Sequence, residues 1–209
     1  ITDSNFGMFK QDLDTCQTIR QLQDEFGWPT DIILTTGKNQ PERIAECAQV
    51  TRGAITVGLN VQSLHTPVLE NIRRKNISLD SMLAAAEKAK TVSKTTRTSA
   101  ALIMTMPGET LSSHLDAIRK LVDLKLDYIE VYQLMLLHGS EMNTFAYRDR
   151  FQMQTKFRAV ANHFGEFGPT AAVEVEEIAV QTDTFSFEEY MTARSVFFFM
   201  GCCYADGNM

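Results

Sequence analysis

Short apolar runs separated by longer amphipathic stretches restrict the fold of this chain more than any other feature. Asp31-Ile32-Ile33-Leu34-Thr35-Thr36, Ala54-Ile55-Thr56-Val57-Gly58-Leu59, Ala101-Leu102-Ile103-Met104-Thr105-Met106 and Tyr128-Ile129-Glu130-Val131-Tyr132-Gln133-Leu134 each have strand length. All four are rich in β-branched or apolar side chains and lead into loops, the pattern of strands buried on both faces. Between them the period changes. Cys16, Ile19, Leu22 and Phe26 recur at steps of three and four, as do Leu111, Leu115, Ile118 and Val122, which places one apolar stripe on each of two helices. Gly108-Glu109-Thr110 supplies a polar entry to the second. A further helix is expected over Asp80–Val92, with Leu83, Ala86 and Lys90 on alternate faces. Strands alternating with helices, joined by connections long enough for crossovers, imply parallel pairing and an α/β fold.

From about Thr144 the alternation loosens. Phe145 to Pro169 carries scattered aromatics and glycines, Ala171–Asp183 is acidic and valine-rich, and Phe187–Phe199 reads as a helix. This region is expected to be an appended, mostly helical extension. At the other end, Ile1-Thr2-Asp3-Ser4-Asn5-Phe6-Gly7 reads as the last turn of a unit already under way, so truncation at the N-terminus is expected.

Bulk properties exclude several classes. A net charge of -6 does not suit a protein that coats nucleic acid, which needs a clustered excess of Lys and Arg; Arg73, Arg74 and Lys75 form only a local run. The apolar segment Val196–Met200 is far too short for a membrane span. No signal peptide is recognisable, and Cys16, Cys47, Cys202 and Cys203 show neither CxxC nor CxxxCxxC spacing. Reduced thiols in a cytoplasmic protein are therefore expected. The four histidines do not stand at metal-ligand spacing.

In parallel α/β folds, ligands gather where the strands end. Four polar clusters fall there: Asp3-Ser4-Asn5, Thr36-Gly37-Lys38-Asn39, Asn60-Val61-Gln62-Ser63 and Pro107-Gly108-Glu109-Thr110. Gly58 to Leu64 followed by Val68 to Arg74 resembles the fourth-strand region of radical S-adenosylmethionine enzymes. Asp3-Ser4-Asn5-Phe6-Gly7 resembles the motif after the family's second strand, Met106-Pro107-Gly108-Glu109-Thr110 the segment after the fifth, and Tyr132 to Met142 the stretch after the sixth. The order and spacing match from Ile1 to about Met142, and the likeness is to the subgroup with a cobalamin-binding domain ahead of the barrel.

The resemblance implies an α/β fold with a partial (β/α) TIM-like barrel of parallel strands over residues 1–143, strands two to six, and an extension over 144–209. It implies S-adenosyl-L-methionine and a 4Fe-4S cluster as cofactors, with cobalamin as the further one that the subgroup suggests. Reductive cleavage of S-adenosylmethionine at the cluster would generate a 5′-deoxyadenosyl radical that takes a hydrogen atom from an unknown, small-molecule substrate. The family's CxxxCxxC motif is absent. The cluster ligands are thus expected off this chain, together with the first barrel strand and an upstream cobalamin-binding domain, and the fragment alone is expected to be inactive.

Cofactor-binding residues implied by the resemblance are Asp3, Ser4, Asn5, Gln62, Ser63, Arg74, Pro107 and Gln133, with no metal ligand and no acid–base residue among them. Gln62 would meet the ribose, Arg74 on the following helix would face the carboxylate, and Asp3, Ser4 and Asn5 would border the amino group. Arg74 also reads as a solvated helix cation, and Asp3-Ser4-Asn5 as a turn or cap. Ala101 stands where some relatives carry an acidic ribose contact, and Thr105 where a glycine is frequent. The rival reading is a complete, non-catalytic α/β domain that binds a nucleotide or a partner protein.

Overall fold

Three of the apolar runs form one parallel sheet in the computed structural model, which describes residues 1–37, 40–76, 78, 80, 81, 84, 87, 88, 91 and 97–204. Strand β1 is Val57–Gln62, β2 is Thr98–Met104 and β3 is Tyr128–Gln133, ordered β1-β2-β3. The β2–β3 register runs without a break from Ser99 opposite Tyr128 to Met104 opposite Gln133. Alternation sends Leu59, Val61, Ala100, Leu102, Met104, Ile129 and Val131 into the main core. Helix α4, Leu111–Asp123, brings Ala117, Ile118 and Leu121 to that core. Its start is fixed by a capping box between Thr110 and Ser113, as the polar entry predicts.

The run Asp31–Thr36 differs from expectation. It forms no continuous strand and makes isolated parallel bridges, Phe6 with Thr36 and Ile32 with Ile55. The ladder stops because the Thr36 hydroxyl takes over, donating to Gly58 O at 3.1 Å and accepting from Gly58 N at 3.2 Å. The segment still lies between residues 1–6 and β1, so the parallel order continues in sequence.

Helices α1, Gln11–Phe26, and α2, Pro41–Val50, cover this part through Cys16, Ile44, Cys47 and Ala48. The expected stripe on α1 is half right. Cys16 and Ile19 pack inward, whereas Leu22 and Phe26 are 38% and 66% exposed. Gln23 is buried in their place, its NH₂ donating to Pro29 O and Thr51 O at 2.7 and 3.0 Å while its Oε1 has no hydrogen-bond partner among the described residues; the two donated bonds let a polar residue occupy the interior. Leu83, Ala86 and Lys90, on which the helix over 80–92 was expected, lie outside the described residues.

The C-terminal region corrects the expectation of a mostly helical extension. After a short helix α5, Phe145–Arg150, come two long antiparallel strands, β4 Gln154–Phe167 and β5 Thr170–Gln181, and then helix α6, Phe187–Cys203. Val173-Glu174-Val175-Glu176 alternates with a period of two, which is a strand signal. Gly168 at φ 63 with Pro169 closes the hairpin between the paired residues Phe167 and Thr170. The inner end of β5 adjoins β3: Met135 bridges Ile178, and Ala179 N donates to Leu134 O at 2.9 Å.

Thr105, directly after β2, is held at φ 64. A β-branched residue is strained in that region, and its buried hydroxyl finds no hydrogen-bond partner among the described residues. Thr105→Gly should therefore stabilise the chain by about 1 kcal/mol, once glycine's greater unfolded-state entropy is set against the relieved strain. A rise in the urea unfolding midpoint checks this; no rise means that Thr105 is not strained.

Candidate functional site

The sheet face turned away from the main core borders a hollow of about 530 Å³, within the roughly 300–1,000 Å³ of small-molecule sites. Its floor is made of small side chains at alternate strand positions, Thr56 and Gly58, then Ser99 and Ala101, with Ile103, Glu130 and Tyr132 beyond them. Ser4, Asn5 and residues 33–36 close one side, and Gln62 and Arg74 line it from the end of β1 and from the turn after the helix that follows β1.

Each lining group has a local cause. Asp3 Oδ1 accepts from Asn5 N at 2.7 Å, a turn that presents Ser4 and Asn5. Gln62, the last residue of β1, stands at φ 62. Arg74 is not on a helix, contrary to expectation. Helix α3, Thr66–Asn71, stops short of it, and Arg73, at φ 51, forms a Schellman turn in which Arg74 N donates to Leu69 O and Arg73 N to Glu70 O. That turn brings Arg74 back beside β1. Arg74 Nε donates to Asn76 Oδ1 at 3.4 Å, and Asn76 Nδ2 to Ser63 O at 2.6 Å, linking the guanidinium to the residue after Gln62. Partial burial lowers the Arg74 pKa, but an arginine stays charged at neutral pH.

Ser4, Asn5, Gln62 and Arg74 thus share one hollow, whereas Asp3, Ser63, Pro107 and Gln133 are not among its lining residues. The Ser63 hydroxyl donates to Glu109 Oε2 at 3.1 Å and accepts from His65 N at 3.1 Å. Burial raises the Glu109 pKa, while bonds from Ser113 and Ser63 pull it the other way. Pro107 O accepts from Asn71 Nδ2 at 3.0 Å, so its loop clamps α3. A Cβ on Gly108, at φ +83, would come within 2.6 Å of that same amide nitrogen. Gln133 Oε1 accepts from the Tyr190 hydroxyl at 2.9 Å and borders a second hollow.

Sequence reasoning missed Glu130 and Tyr132. The Tyr132 hydroxyl donates to Glu130 Oε2 at 2.9 Å, and its pKa is pushed up to about 12 by partial burial and then by Glu130. Their signal was the alternation in β3, where Ile129 and Val131 face the core and Glu130 and Tyr132 face away. Glu130 is also the cross-strand partner of Ala101.

An iron–sulfur cluster does not fit these residues. No group of three or more His, Cys, Asp or Glu among the described residues could hold a metal ion. Cys16 and Cys47 are buried in one small core, and two thiols fall short of the cysteine set that holds such a cluster. No helix among the described residues is long and apolar enough to cross a membrane.

No family model matches the chain. Over 159 residues, 74% of this chain and 23% of the relative, it is 28% identical to the cobalamin-dependent radical SAM methyltransferase TokK of Streptomyces tokunonensis. Over 148 residues, 69% of this chain and 21% of the relative, it is 30% identical to the 2-(S-pantetheinyl)-carbapenam-3-carboxylate methyltransferase of Streptantibioticus cattleyicolor. The chain belongs to the radical SAM family. It spans less than a quarter of the length of these two relatives. Among solved structures, the radical SAM enzyme coproporphyrinogen III oxidase (HemN) from Escherichia coli aligns over 68% of this chain and 32% of its own, at 15% identity and a TM-score of 0.44.

Proposed function

We propose that the first hollow binds S-adenosylmethionine for a radical reaction, and that residues 1–143 are consecutive units of a (β/α) barrel to which 144–209 are appended. The observation that carries this reading is the meeting of Ser4, Asn5, Gln62 and Arg74, from separate parts of the chain, at one hollow. In this reading Arg74 pairs with the methionine carboxylate through a charge-assisted bond. Gln62 offers both a donor and an acceptor. Glu130, beside Ala101 in the register, accepts from the ribose hydroxyls, and the small floor residues admit the flat base.

When bound beside a reduced 4Fe-4S cluster held by residues outside these 209, S-adenosylmethionine supplies the radical chemistry of the family. The chain's own residues bind and orient it and carry no proton in that step. The name of the first relative supports cobalamin-dependent methyl transfer as the reaction class of the whole protein; an upstream cobalamin-binding domain as its partner and a cytoplasmic setting belong to the same proposal.

Titrating the chain with S-adenosylhomocysteine in a calorimeter tests the reading. One site per chain is expected. The Gln62→Ala/Glu130→Ala variant should lose roughly 1–3 kcal/mol of affinity, the worth of two hydrogen bonds. Absent binding, or binding indifferent to that pair of substitutions, would overturn the assignment.

A further inference from the structure

A second hollow of about 640 Å³ adjoins the first. Ile103 and Tyr132 belong to both linings, so the two spaces share a wall at the ends of β2 and β3. The second is bounded on one side by Gln133, Leu134 and Leu137, and on the other by strand β4 from Arg158 to Ala161. Its walls are mainly apolar, and its polar groups are few.

Those few are specific. The Gln133 carbonyl oxygen is engaged by Tyr190, so the side-chain donor that Gln133 can offer is its NH₂. Strand β4 is irregular at this point. Between the pairs Ala159–Val175 and Phe164–Val173, four residues of β4 face a single residue of β5, with Asn162 at φ 63. A bulge of this kind leaves peptide N–H and C=O groups that the ladder does not take up. Val160 and Ala161, which line the hollow, lie within it. Arg158 and Glu176 border the same space but are paired with each other, so their charges largely cancel.

Apolar walls, the Gln133 amide donor and the interrupted ladder at Val160 and Ala161 match a ligand with an apolar chain and a neutral amide, which can accept from an N–H and donate to a C=O at once. We propose that the bulged hairpin and the end of β3 form the substrate subsite, and that the substrate is an acyl or alkyl compound bearing an amide. The shared wall of Ile103 and Tyr132 then sets the amide-bearing molecule next to the adenosyl group. This inference rests on the reading of the first hollow as the S-adenosylmethionine site.

The test uses N-hexanoylglycinamide as the probe and saturation-transfer NMR on the 209-residue chain. The probe should bind, and 1,6-hexanediol, which lacks the amide, should bind about tenfold more weakly or not at all. Val160→Trp, which fills the hollow, should weaken the probe about tenfold and leave S-adenosylhomocysteine affinity unchanged. Leu137→Ala, at a residue 60% exposed and so tolerant of truncation, should weaken the probe by a smaller factor. Arg74→Ala should leave it unaffected. A probe that does not bind, that binds Val160→Trp as well as the parent, or that is lost with Arg74→Ala overturns the proposal. Equal binding of the diol overturns the amide assignment. Failure of the parent chain to bind S-adenosylhomocysteine counts against the first hollow, so the two readings fail separately.

Discussion

Replacing Arg74 with alanine should weaken binding of S-adenosylmethionine by about 1.5–3 kcal/mol, the range for a hydrogen bond to a charged group. Isothermal titration would read this as roughly a tenfold to hundredfold rise in Kd. The size follows from the setting. Arg74 lines the hollow and is partly buried, so less water competes for its charge than at an open surface. Its link through Asn76 to the Ser63 carbonyl, with distances of 3.4 and 2.6 Å, fixes the direction of approach. Arg74→Lys should recover only part of the loss, because a single ammonium cannot match a carboxylate with two parallel donors. Adenosine, which lacks the carboxylate, should bind parent and variant alike. Unchanged affinity for S-adenosylmethionine in Arg74→Ala would remove Arg74 from the site.

Phe185→Ala should cost about 3–5 kcal/mol of stability, the scale for deleting a buried aromatic ring. Phe185 is 1% exposed and belongs to the main core. Its ring meets His114 of α4 edge-on, with centroids 6.4 Å apart. Around it the chain makes a tight turn: Thr182 N donates to Phe185 O at 2.8 Å, and the Thr184 hydroxyl donates to Glu109 O at 2.6 Å. The ring thus pins the passage from β5 to α6 onto α4. Amide exchange in the variant should accelerate throughout α6, since a region released from its packing opens below the global unfolding energy. Phe185→Leu, which keeps most of the volume, should cost under about 1.5 kcal/mol. Protection of α6 unchanged in Phe185→Ala would show that the helix holds without this anchor.

The parallel sheet and its covering helix were legible because burial on both faces and a 3.6-residue period are strong, local signals. The runs containing β1, β2 and β3, and the entry to α4 at Thr110, follow from them directly. Asp31–Thr36 has the composition of a strand, yet its pairing is decided by one hydroxyl, Thr36 on Gly58, which no periodicity reveals. Arg74 was placed on a helix because the stop at Arg73 lacks the glycine that usually marks a left-handed C-terminus. The hairpin was missed although Val173 to Glu176 alternates, since its faces are both solvent-rich: Phe157, Phe164, Val173 and Val175 are all exposed. Among the candidate residues, Ser4, Asn5, Gln62 and Arg74 line the hollow from one strand end and two loops. Ser63 stands next to Gln62 in sequence, but its hydroxyl is directed to Glu109, and Pro107 O is taken by Asn71. Sequence adjacency does not reveal which way a loop residue turns.

The hydroxyl joint between Thr36 and Gly58 has a mechanical consequence. From β1 to β3 the strands are joined by ladders of backbone bonds, irregular only between Leu59 and Gln62 of β1, and shearing them breaks several bonds together. At the joint, a threonine side chain that can swivel about χ1 replaces such a ladder. The seam, which runs through the wall of the hollow, is thus held by an isolated backbone bridge at Ile32 and by this hydroxyl in place of a ladder. A seam held so sparsely should yield before the ladders on its far side when a wider guest enters.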